Sequence, residues 1–166
     1  RIYESVYELL KDVGISLHLP ERTYFPSTNQ EDLAFQIVKP QIASALLANE
    51  KADICFSGKD WVYENGIEDK VEEIMDLGFD PVKIVAAIPE AVDFDSLLKG
   101  NVTIATEYQN LSKKWLEEKK VSGQIFRTWG TSEGFVQNTS ESLAQILIDN
   151  TATGSSLRAN NLKIVD

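Results

Sequence analysis

The segment Ile148-Asp149-Asn150-Thr151-Ala152-Thr153-Gly154-Ser155-Ser156-Leu157-Arg158-Ala159-Asn160 ends an apolar run in a carboxylate, surrounds a glycine with hydroxyls, and then permits a helix from Ser156. That order suits an anion cradle. Gly154 lets the backbone approach an anion, consecutive N–H groups point at it, and a helix N-terminus adds positive potential. Thr153, Ser155 and Ser156 would add hydroxyl donors. Asp149, at the start of the loop, could accept hydrogen bonds from sugar hydroxyls or orient a metal-bound water. The competing reading is a capped turn in which Asp149 and Ser156 satisfy backbone groups and nothing is bound. Composition alone leaves the two open.

Other reactive side chains are sparse. His18, the sole histidine, has no partnering Asp or Cys arrangement, which argues against a catalytic role. Cys55 is the single cysteine and cannot form an internal disulfide; in its apolar stretch it reads as a buried, inert thiol suited to a reducing compartment. The 26 acidic and 16 basic side chains leave a net charge of −10, with no stripe of Lys and Arg interleaved with aromatics, so a nucleic-acid partner is disfavoured and any phosphate must be bound locally. Eight acids against Lys70 lie between Asp60 and Asp80 and read as a solvated helix face. Between Asp149 and Asn160, by contrast, Asp149 is balanced by Arg158.

With 166 residues, 43% hydrophobic and 25% charged, the chain can bury a sizeable core as one unit or two small lobes. No apolar run approaches the roughly 18 residues of a spanning helix; the longest, 83–89, has strand length. The sequence begins at Arg1 without Met or an apolar leader, and a truncated start is the expectation. Helical spacing predicts helices over 2–13, from Pro40 to about Asn49, over 112–119 and over 139–147; Asn138-Thr139-Ser140-Glu141 has capping-box spacing for the last. Strands are predicted over 34–38, 52–58, 83–88, 101–106 and 123–128, with a closing segment over 162–165. Strands alternating with helices imply an α/β class built from parallel units, with helices on both faces of the sheets. Pro89 and the stretch after Leu157 are candidate hinges. Trp61, Trp115 and Trp129 could be interface anchors or packed core residues.

The 149–160 segment resembles the phosphoribosyl-pyrophosphate loop of the ATP phosphoribosyltransferase family, a carboxylate followed by Thr-Gly-Thr-Thr-Leu and Arg-Ala-Asn-Gly-Leu. Further landmarks fall in the family's order: Lys39-Pro40-Gln41, Ala52-Asp53-Ile54 through Ser57-Gly58-Lys59-Asp60, Asp76-Leu77-Gly78-Phe79, and Ile104-Ala105-Thr106-Glu107-Tyr108-Gln109-Asn110. The resemblance covers nearly the whole chain. It implies a two-lobed fold like that of type II periplasmic binding proteins, with mixed sheets flanked by helices. Residues 1–88, completed by 161–166, would form the first lobe, and 89–160 the second. The implied reaction moves the phosphoribosyl group of phosphoribosyl pyrophosphate to N1 of ATP, releasing pyrophosphate with Mg²⁺ present, as the first step of histidine biosynthesis in the cytoplasm.

Carried over by residue, Asp149, Thr151, Ala152, Thr153, Gly154, Ser155 and Ser156 would hold the ribose and its 5′-phosphate. Glu133, in Gly130-Thr131-Ser132-Glu133, would join Asp149 as a catalytic carboxylate facing the ribose hydroxyls or Mg²⁺. Arg1, Arg22, Asp53 and Gly58 would serve the nucleotide. The family also implies a homodimer or higher oligomer and, in short forms, a synthetase-like regulatory subunit. Departures are few: Ser155-Ser156 replaces Thr-Thr, Ile42 and Cys55 replace an aspartate and a glycine, and about three extra residues follow Glu133 where an acid becomes Gln145. Two alternatives stay open, a two-lobed binder of a small anion or solute and a catalytically degenerate regulatory homologue.

Overall fold

Ile2, Val6, Leu9 and Leu10 recur at helical spacing, and the computed structural model, which describes residues 2–137, 139 and 141–166, carries them on α1 (Ile2–Asp12) with Leu10 buried. A short hairpin follows, β1 (Leu17–His18) antiparallel to β2 (Ser27–Thr28). The Asn29 side chain ties it to the end of α1, accepting from Ser16 N at 2.9 Å and donating to Gly14 O at 3.0 Å. Pro40 opens α2 (Pro40–Ala48), where its missing N–H would be unsatisfied anyway. α3 (Lys59–Asn65) packs beside it, with Asn65 Nδ2 donating to Gln41 O at 3.2 Å and Ser44 Oγ at 3.3 Å. These elements belong to the first of two compact units, Arg1–Asp80.

Three expectations fail in this unit. Residues 34–38 and 52–58 form no strand. Their apolar content meets the local requirement, but a strand also needs a neighbour to complete its ladder, and these residues join none; Ile37 N makes a single backbone hydrogen bond, to Tyr24 O at 2.8 Å. The acidic run is not a continuous helix either: α3 stops at Gly66, residues 71–79 have no regular structure, and Glu64 is buried rather than solvated. Cys55 is half-buried, and that partial burial pushes its thiol up. His18 is exposed on β1.

The second unit, Pro81–Asp166, is built on a five-stranded mixed sheet. Its elements are β3 (Lys83–Pro89), α4 (Phe94–Leu97), β4 (Val102–Thr106), α5 (Gln109–Lys119), β5 (Gly123–Arg127), a single 3-10 turn (Ser132–Phe135), β6 (Ile146–Thr151), α6 (Ser155–Ala159) and β7 (Leu162–Ile164). The strand order is β5-β4-β6-β3-β7. β4 runs parallel to β5 and β6, whereas β3 is antiparallel to β6 and β7. The sheet is buried on both faces, as expected where consecutive apolar residues occupy central strands. On one face Val85, Ala87, Ala105 and Leu147 pack with Val136, Leu157 and Leu162. On the other, Ala86, Ile88, Val102, Ile104, Ile146 and Ile148 pack against Phe94, Leu97, Trp115 and Leu116 of α4 and α5. Leu147 lies opposite Ala87 on one side and Ala105 on the other, so one large side chain fills the space two small ones leave.

The division between units falls at Asp80, ahead of β3, and both β3 and the 162–164 strand pair inside the second unit's sheet. The expectation that 1–88 and 161–166 go together remains a proposal; the compact units are Arg1–Asp80 and Pro81–Asp166. The expected helix over 139–147 is also absent: Ile146 and Leu147 open β6, and Ala144 makes a bridge to Val136. Its capping-box residues Asn138 and Ser140 lie outside the described residues. The three tryptophans separate. Trp61 is buried; Trp115 packs in the core and donates to Asp166 Oδ2 at 2.6 Å, while Trp129 is 71% exposed with the Arg127 guanidinium 3.9 Å over its ring.

Candidate functional site

Three parallel strands, β4, β5 and β6, end at one edge of the sheet, and the loops that follow them carry the polar side chains; in open α/β sheets this carboxyl edge is where ligands bind. Asp149 sits where β6 leaves the core. In the ladder it lies opposite Val85, a buried residue, so its carboxylate starts from an apolar face. Burial there pushes its pKa up to about 6. A hydrogen bond from Asn150 N, 2.7 Å from Oδ1, pulls the other way, and the nearby carboxylates of Glu133 and Glu107 push it up further. Ser132 donates to Asp149 as well and is itself fully buried, with its Oγ 2.7 Å from Thr128 Oγ1.

Glu133 lies on the 3-10 turn that starts after Thr131, a residue with φ 51°, and it accepts a short hydrogen bond from Ser156 Oγ. The acid predicted from one loop and the hydroxyl predicted from another therefore meet. Within the loop, Gly154 adopts φ 69°, a left-handed conformation that favours glycine. Its N–H donates to Thr151 Oγ1 at 2.8 Å, and Thr153 Oγ1 lies 3.1 Å from Ser155 Oγ. α6 begins at Ser155, and the N–H groups of a first helical turn have no intrahelical acceptor. Ala152, Thr153, Ser155 and Ser156 are exposed, so the hydroxyls face solvent where an anion could reach them.

Asp149, Glu133 and the loop 151–156 are thus brought together in the second unit. The remaining candidates belong to the first unit. Arg22 is exposed with φ 64°, and Asp53 is exposed in irregular chain. Gly58 caps α3 at an ordinary φ of −72°, and a Cβ there would meet only the side chain of Asp60, which can turn away. No hydrogen bond or ion pair joins Arg22 to Asp53 or Gly58 among the described residues. Arg1 lies outside the described residues.

Sequence reasoning missed Glu107, Ser132 and the pair formed by Asn150 and Tyr108. Glu107 carried the same signal as Asp149, a carboxylate directly after an apolar strand. Asn150 Nδ2 donates to the hydroxyl of the fully buried Tyr108 at 2.7 Å, linking the loop to the end of β4.

Asp149 and Glu133 are the residues that could hold a divalent cation. Among the described residues no group of three or more His, Cys, Asp or Glu forms a protein-only cage. Two carboxylates beside a loop of hydroxyls fit magnesium, which takes one or two carboxylates, keeps several waters and draws its other oxygens from substrate phosphates. Among the described residues no helix is long and apolar enough to cross a membrane.

A family model described as HisG: ATP phosphoribosyltransferase matches residues 39–166. The ATP phosphoribosyltransferase of Methanocaldococcus jannaschii is 32% identical over 170 residues, covering 100% of this chain and 57% of the relative. That of Chlorobaculum parvum is 33% identical over 172 residues, covering 99% and 56%. Among solved structures, the ATP phosphoribosyl transferase (HisG:HisZ) complex from Thermotoga maritima contains a chain similar to this one with a TM-score of 0.81 and 25% identity, covering 100% of this chain and 77% of that one. The chain spans about half the length of the curated relatives it matches.

Proposed function

The chain belongs to the ATP phosphoribosyltransferase family, and from that premise we propose that it transfers the phosphoribosyl group of phosphoribosyl pyrophosphate to N1 of ATP, the first step of histidine biosynthesis. The observation that carries this reading is the meeting of Asp149, Glu133 and Ser156 at the carboxyl edge of three parallel strands, on the loop where the family resemblance is closest.

In this reaction the bond from C1′ to pyrophosphate oxygen breaks, its electron pair leaves on pyrophosphate, and the N1 lone pair forms the new C–N bond. The ribose becomes cationic while negative charge gathers on the leaving group. Catalysis is then electrostatic, and the protein needs no covalent nucleophile. The loop 151–156 binds the 5′-phosphate through hydroxyls and first-turn N–H groups. Asp149 and Glu133 orient the ribose hydroxyls and lie against the developing cation. Asp149 and Glu133 would hold magnesium, which would supply neutralisation of the charge on pyrophosphate.

Arg22, Asp53, Gly58 and Arg1 are assigned to the nucleotide on the resemblance alone. We further propose a cytoplasmic location, for which the lone, partly buried Cys55 suits a reducing compartment, and assembly as a homodimer or higher oligomer with a synthetase-like regulatory subunit, which is supported by the similarity to a chain of a HisG:HisZ complex.

The test is pyrophosphate release by the intact protein given phosphoribosyl pyrophosphate, ATP and Mg²⁺. Asp149→Asn and Gly154→Val should each cut the rate by about 100-fold or more, the scale of losing a preorganised electrostatic group. Rates unaffected by both substitutions would remove the loop assignment. Tight phosphoribosyl-pyrophosphate binding without turnover would instead identify a degenerate regulatory homologue.

A further inference from the structure

Resting on the phosphoribosyl-pyrophosphate reading of the loop, we propose that Arg158 is its positioning residue: it pins the peptide plane between Thr153 and Gly154 and keeps a positive charge beside the anion. Arg158 Nη1 donates to Thr153 O at 3.0 Å, and its backbone N donates to Gly154 O at 3.1 Å. A Cβ built on Gly154 would lie 3.1 Å from the same Nη1, so the guanidinium packs directly against the glycine.

In a trans peptide the carbonyl and the N–H point in opposite directions. Arg158 holds the carbonyl end of the Thr153–Gly154 plane, and Thr151 Oγ1 holds the N–H end at 2.8 Å. A plane fixed at both ends locks Gly154 at φ 69° and so sets the directions of the N–H groups that follow it. Gly154 thus answers two demands at once, a left-handed backbone and room for the guanidinium. A guanidinium has five N–H donors in a rigid fork. The Thr153 carbonyl takes one, and the exposed side chain can turn others to a phosphate. Arg158 is also the only cation between Asp149 and Asn160.

A loop shaped before the ligand arrives strengthens binding of substrate and transition state alike, so its loss should raise KM and leave kcat nearly unchanged. The experiment titrates the intact protein with phosphoribosyl pyrophosphate by calorimetry at two salt concentrations and follows pyrophosphate release at steady state, for wild type, R158K and R158Q. R158Q, which keeps a donor but loses the charge, should bind roughly 30-fold more weakly with a shallower salt dependence. R158K should restore the salt dependence yet remain about 10-fold weak, because an ammonium lacks the planar fork. Should R158Q fail to fold, R158K carries the same comparison. Both variants binding as tightly as wild type, with wild-type KM, overturns the inference alone. A flat titration of wild type itself overturns the functional reading and this inference with it.

Discussion

Asp149 is a carboxylate held at a pKa of about 6, against an ordinary value of 3.8, by burial and by Glu133 and Glu107. The folded state therefore holds the proton more tightly than the unfolded one. Between about pH 4 and 6 the unfolded chain ionises first, so stability falls as pH rises through that window, and above it the full cost is present. By linkage that cost is on the order of 2–3 kcal/mol as an upper bound. Asp149→Asn keeps an oxygen to accept from Asn150 N and removes the charge. The variant should be more stable than wild type by about 1–3 kcal/mol at pH 7.5 and no more stable at pH 4, read from urea midpoints across pH. A gain independent of pH would mean that the Asp149 charge is not its source. The same substitution is predicted to abolish most turnover, the trade expected where a site holds a strained charge. Asp149 and Ser156 were singled out from the sequence as a carboxylate and a hydroxyl around a glycine after an apolar run, and the structure brings Asp149, Glu133 and Ser156 to one place. Glu107 was not legible, although its type and place are alike, because the sequence does not tell which strand ends lie side by side.

Among the elements, β5 depends on one close approach. A Cβ on Gly123 would stand 2.9 Å from Val102 O and 3.0 Å from Leu116 Cδ2, so strand and helix would both have to move. Gly123→Ala should destabilise by about 1–3 kcal/mol, lowering the urea midpoint with little change in slope. Gly134→Ala is the control, since nothing lies within 4 Å of its Cβ position and its φ is not positive; it should be near neutral. Prolines and clear periodicity made α1, α2, α5, β3, β4 and β5 legible. β6 was not: Leu143, Ala144, Ile146 and Leu147 fit a helix stripe as well as the end of a buried strand, and a short apolar run does not separate the two. The choice is made by pairing on both sides, with β4 and β3, which are distant in sequence. The absent strands at 34–38 and 52–58 are the converse case, local pattern without a ladder.

At the scale of the whole chain the two units differ in what they bury. Among the described residues the buried apolar side chains of the first unit are Leu10, Pro26, Ala43, Trp61 and Ile67, and all the others belong to the second. The first unit also leaves Ile54 66%, Ile74 77% and Met75 71% exposed, along with most of the acidic residues between 60 and 80. Burial of apolar surface is the main favourable term in folding, at roughly 25 cal/mol per Å², so the first unit has much less holding it closed. Native-state hydrogen exchange should reflect this difference. The amides of Ile104, Ala105, Leu147 and Ile148, central in a sheet covered on both faces, should exchange only through global opening of the second unit. Those of α1, α2 and α3 should exchange through local opening, at least about 100-fold faster, since 2–3 kcal/mol less protection corresponds to that factor. Equal protection in both units would mean that the first is held by more than the side chains it buries. The graded outcome also bears on the candidate site, because Asp149, Glu133 and the loop 151–156 all stand on the unit predicted to open last, which would keep their geometry fixed.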